Sequence, residues 1–135
     1  VEADRARVNR WLWATLAVNL VSELVFVLFP TTLDRALHPL PAGTGWATAA
    51  AFERLHALDS PASCFPSLHV STAYLSSFVF VGRRRAHFAL AFVWATAIAL
   101  STLTTKQHYL VDVVAGLALA LCAWVCFLRE KEPHG

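Results

Sequence analysis

The sequence predicts an all-α, polytopic transmembrane helical bundle. Three observations carry that reading. The chain is 57% hydrophobic, with a mean hydropathy of +0.53 and 15% charged residues, where a soluble domain is about 45–50% apolar. Four apolar runs, at about 11–29, 66–82, 86–103 and 107–128, approach the roughly 20 residues that a membrane helix needs. Basic clusters recur before the first run, between the second and third, and after the fourth. A single membrane domain over 1–135 holds all four runs. The formal charge of +2 is too small to imply a nucleic-acid partner.

Residues 1–10 are polar and carry Arg5, Arg7 and Arg10, with no cleavage-site pattern after them. Trp11 and Trp13 open the first run and suit the membrane interface. Glu23 falls at membrane depth, where an ionisable group faces the bundle or water. A hydrogen bond to a neighbouring helix is expected there ahead of a catalytic role. Pro30 ends the run, and Pro39, Pro41, Gly43 and Gly45 extend the loop chemistry.

Residues 46–58 are expected to form a short helix. Ala51, Leu55 and Leu58 share one face with Phe52 beside them, a pattern suited to lying on the outer membrane surface. Arg54 and His56 on it are read as solvated, and Asp59-Ser60-Pro61 breaks it. Cys64, Cys122 and Cys126 show no CxxC spacing, hence neither a zinc site nor a disulfide framework, and are read as packing residues. The chain has no methionine, even at position 1. It is read as a fragment or processed chain that further helices could precede.

Four spans put the three basic clusters on one side, cytoplasmic by the positive-inside rule. The long loop and both histidine stretches then fall on the other side. His69, at the head of the second run, and His108, at the head of the fourth, therefore share one membrane face.

On a helix, His108 and Asp112 are four residues apart and can touch. A carboxylate that fixes one imidazole nitrogen leaves the other to act as nucleophile or base. The plainer alternative is a surface histidine beside a helix start. With Ser67, His69 and Lys106 added, the group suits phosphoryl transfer, which needs a nucleophile, an acid for the leaving oxygen and donors for the equatorial oxygens. No metal or other cofactor is required. Metal ligation by His69, His108 and Asp112 is the competing use of the same groups.

These residues resemble a known family. Phe65-Pro66-Ser67-Leu68-His69 is similar to the second motif, PSxH, of the type 2 phosphatidic acid phosphatase superfamily. Ser101 through Asp112 resembles its third motif, a Ser-Arg pair, five residues, His, three residues and Asp. Ser101, His108 and Asp112 stand at the matching spacing, and Tyr109 and Asp112-Val113-Val114-Ala115-Gly116 continue the likeness. The resemblance covers about residues 20–128. It implies His108 as the nucleophile that becomes phosphohistidine, Asp112 as its orienting partner and His69 as general acid. Ser67 and Ser101 are assigned to substrate binding. The implied substrate is a lipid phosphate, and the implied partners are membrane lipids. The expected location is a plasma membrane, taken as bacterial, with the site on the extracytoplasmic side.

The chain also departs from the family pattern. Thr102 stands where the third motif has Arg, and the first motif, a Lys followed six residues later by Arg-Pro, is absent. Lys106 and Arg35 are the cations available to replace them at the phosphate. Lys106-Gln107-His108-Tyr109 looks more like the inositol phosphorylceramide synthase-like branch. That makes a phosphotransferase an alternative to a phosphatase, and an inactive membrane scaffold a third reading.

Overall fold

A computed structural model describes residues 2–31, 40–58, 65–105 and 109–129. Helix α1 (Glu2–Leu28) starts well before the apolar run. Arg7, Ala14, Val18, Ser22 and Phe26 are buried along it. Their spacings of seven and four keep one stripe turned to the bundle. Leu12, Leu16, Leu20, Leu24 and Val27 are exposed, as a lipid-facing side would be. Glu23 corrects an expectation. It is exposed and its side chain makes no hydrogen bond among the described residues, because it lies about 100° round the helix from Ser22.

Helix α2 (Trp46–Leu58) coincides with the short helix expected from the sequence. Helix α3 (Leu68–Phe78) is only 11 residues long, about 16 Å at 1.5 Å per residue. It continues into turns closed three residues back, Phe80 N–H to Ser77 C=O, Val81 to Phe78 and Arg83 to Phe80. Gly82 then reverses the chain at φ +77°, which a side chain would oppose. Helix α4 (Arg85–Thr104) follows, and then α5 (Leu110–Ala123). A π-helical segment (Trp124–Leu128) extends α5.

Among the described residues, three helices are long and apolar enough to cross a membrane: Asp4–Leu28, Arg85–Thr104 and Leu110–Leu128. No strand occurs among the described residues. The molecule is an α-helical membrane bundle, as expected, but the run at 66–82 is the short central post rather than a full-length helix.

That post packs against α1, α4, α5 and the π-helical segment. Its own side chains explain how three helices crowd around it. Ser71 donates to the Ser67 carbonyl at 3.0 Å, Thr72 to Leu68 at 2.6 Å and Ser77 to Tyr74 at 2.7 Å. Hydroxyls bonded to the preceding turn need no partner from outside the helix. The core joins Val70, Tyr74, Leu75 and Phe78 of α3 to Ala14 and Val18 of α1, Ala95 and Ala99 of α4, and Ala120 and Ala123 of α5. The buried contributions to this core from α4 and α5 are alanines, which let membrane helices approach closely. Tyr74 closes the α3–α4 seam, its hydroxyl 3.0 Å from Thr96 Oγ1 and its ring edge-on to Phe92.

Cys122 and Cys126 correct a second expectation, since both are exposed. The packed face of α5 is Asp112, Gly116, Ala120 and Ala123, and the cysteines fall beside it.

Candidate active site at the N-terminal ends of α3 and α5

The two histidine stretches meet through their backbones. The Ser67 N–H donates to the Asp112 carbonyl at 3.1 Å. This places the residue that opens α3 against the first turn of α5. The approach is possible because Gly116, one turn after Asp112, has no side chain. A Cβ there would lie 2.6 Å from the Ser67 carbonyl oxygen, 3.2 Å from Val70 Cβ and 3.4 Å from the Ser71 nitrogen. Thr31, just beyond α1, holds the same corner from the other side, its hydroxyl accepting from the Phe65 N–H at 3.0 Å.

Both helices start with capping interactions. Ser67 is fully buried, and its hydroxyl accepts from the Val70 N–H at 3.4 Å, the position of an N-cap side chain. Asp112 is 3% exposed, and its Oδ2 accepts from the Tyr109 N–H at 2.7 Å. A carboxylate at this third position of a helix reaches back to the start of the helix, the return arm of a capping box. Two helix N-termini therefore end side by side, and each carries partial positive charge from its aligned amides. An anion at that end meets backbone N–H groups and the positive ends of two helix dipoles.

The remaining site residues divide into three groups. His69 sits in the first turn of α3 with its side chain exposed. Ser101 is exposed on α4, and its carbonyl accepts from Thr104 Oγ1, Thr105 Oγ1 and the Thr105 N–H. It takes no part in the Ser67–Asp112 contact. Thr102, where the motif has Arg, is buried and bonds the Ala99 carbonyl at 2.8 Å, so it brings no donor to a phosphate. Arg35, Cys64, Lys106 and His108 lie outside the described residues.

Sequence reasoning missed Thr31 and the role of Gly116. Thr31 has no signal, since a Thr after Pro30 is ordinary. Gly116 has one: Asp112, Gly116 and Ala120 repeat small or polar residues every four positions within an apolar run, a pattern that marks close helix packing.

The fold and this end of it define a membrane helical bundle that joins a serine–histidine turn to a helix headed by an aspartate. A family model of the PAP2 superfamily matches residues 1–126. The chain belongs to that superfamily, and membership supports a phosphatase or phosphotransferase type of activity on lipid phosphates. No curated protein and no solved structure matches the chain.

Proposed function

We propose that the protein is a lipid-phosphate phosphatase that works through a phosphohistidine and needs no metal. The observation that carries this is the Ser67 N–H to Asp112 carbonyl contact, which unites the two motif stretches at one end of the bundle. A ring nitrogen of His108 attacks phosphorus, and the ester P–O bond breaks. His69 gives its proton to the departing oxygen and the alcohol leaves. Water then attacks the phosphohistidine, His69 takes its proton, and phosphate departs with His108 restored. Asp112 holds the His108 ring. Ser67 acts through the α3 start that its hydroxyl caps, and Lys106, Arg35 and Ser101 complete the phosphate cradle. The extracytoplasmic face of a bacterial plasma membrane is the proposed setting.

The test is turnover of a long-chain phosphatidic acid by the purified chain in the presence of a chelator. Wild-type activity and vanadate inhibition are expected, with loss of activity in His108→Ala. Full activity in that variant would sink the mechanism.

The Lys106-Gln107-His108-Tyr109 sequence favours a second reading, in which an alcohol replaces water in the second step. That is transfer of a phospho-headgroup, as in the inositol phosphorylceramide synthase-like branch. Adding an acceptor alcohol separates the two, because free phosphate as sole product excludes transfer. Failure to trap phosphoenzyme under conditions where an active relative yields it favours an inactive scaffold.

A further inference from the structure

The opposite end of the bundle concentrates positive charge that the proposed chemistry does not use. Arg7 is 7% exposed, an unusual depth for a charged side chain. Its Nη2 donates to the Val81 carbonyl at 2.9 Å. Beside it lies a cavity of about 150 Å³ walled by Arg7, Val81, Gly82, Trp124, Leu128 and Arg129. A neighbouring recess of about 340 Å³ shares Val81 and Gly82 and adds Arg83 and Arg85. Gly82 borders both spaces, and its N–H donates to no group among the described residues. Asp4, the one carboxylate side chain described at this end, is engaged with Arg83.

The depth and size of this cavity suit one kind of ligand. The membrane-length segments Asp4–Leu28 and Leu110–Leu128 begin and end beside these arginines, which sets the cavity at headgroup level. Basic pockets between helices at that level recognise anionic headgroups, because guanidinium pairs with phosphate oxygens in a fixed fork. A cavity of about 150 Å³ has room for a phosphate group.

We propose that this cavity binds an anionic phosphate between Arg7 and Arg129, as a structural site separate from the catalytic end. A phospholipid headgroup and free phosphate present the same chemistry, and the experiment distinguishes them. The full chain is purified and exchanged into mixed phosphatidylglycerol and phosphatidylcholine, and the retained lipid is measured by native mass spectrometry. A parallel sample in phosphatidylcholine alone is titrated with inorganic phosphate, with the unfolding temperature as readout.

Preferential retention of phosphatidylglycerol is expected. Arg129→Gln, at an exposed position, should reduce that preference roughly five-fold, the equivalent of ~1 kcal/mol for one basic residue. Arg7→Gln should reduce it further if the variant folds, and Arg54→Gln on α2 should leave it unchanged. A rise in unfolding temperature with phosphate alone, lost in Arg129→Gln, assigns the site to the free anion. Equal retention of the two lipids with no phosphate effect overturns the proposal and leaves Arg7 as a cap on the α3 turn. A preference untouched by Arg129→Gln overturns it as well.

Discussion

The two ends of the bundle are held together by different means. At the motif end, backbone meets backbone, with Ser67 N–H on the Asp112 carbonyl and Gly116 under the Ser67 carbonyl oxygen. At the arginine end, long side chains bridge the elements, with Arg7 on the Val81 carbonyl and Arg83 on Asp4. Backbone contacts have no spare reach, so the motif end is rigidly specified and intolerant of added volume. Side-chain bridges can shift, lengthen or exchange partners. A site for chemistry belongs at the first kind of end, because catalytic groups need fixed geometry. The second kind suits adaptable binding of headgroups.

The sharpest way to break this contrast is Gly116→Ala. One methyl forces α5 away from α3 against a backbone atom, and overpacking of this kind costs ~1–3 kcal/mol. A lower unfolding temperature and an activity loss larger than the stability loss explains are expected. Wild-type behaviour in both assays would mean that the helices separate freely here.

Asp112 tests the same end with less violence. Asp112→Ala takes the acceptor from the Tyr109 N–H, a capping hydrogen bond at an exposed residue, at a cost of ~0.5–2 kcal/mol. Asp112→Asn keeps an acceptor oxygen, so its unfolding temperature should stay near that of the wild type while phosphatidic acid turnover falls. Full turnover by Asp112→Asn would reduce Asp112 to a cap.

At the arginine end the smallest effect is expected. Asp4→Asn removes the partner of Arg83 in a pair whose side chains are 62% and 44% exposed. Such pairs contribute ~0–1 kcal/mol, and the unfolding temperature should not move measurably. A clear drop would show this end to be as tightly specified as the other.

Much of this organisation is legible in the sequence. Apolar runs locate α4 and α5, Pro30 and Gly45 fall between the end of α1 and the start of α2, and the arginine clusters mark one end. Structure joins these clusters through Arg7, Val81, Gly82 and Arg129. The length of α3 is not legible, because hydropathy counts Val79, Phe80 and Val81 as span, although they close tight turns before Gly82. Nor is the start of α1, where a polar turn stays helical because Arg7 finds a carbonyl across the bundle. The PSxH and His-x3-Asp spacings mark the residues of the proposed site. They do not reveal that Ser67 is buried as a cap or that Thr31 holds the corner, since both depend on contacts across more than thirty residues or on packing depth.

The Ser67 amide carries one more consequence. Its hydrogen bond crosses from α3 to α5 at a fully buried residue. Solvent can reach that proton only when the two helices part. Its exchange rate therefore measures how often the proposed site comes apart, without any substrate present. A single backbone proton thus serves as a clock for the assembly of the two motifs.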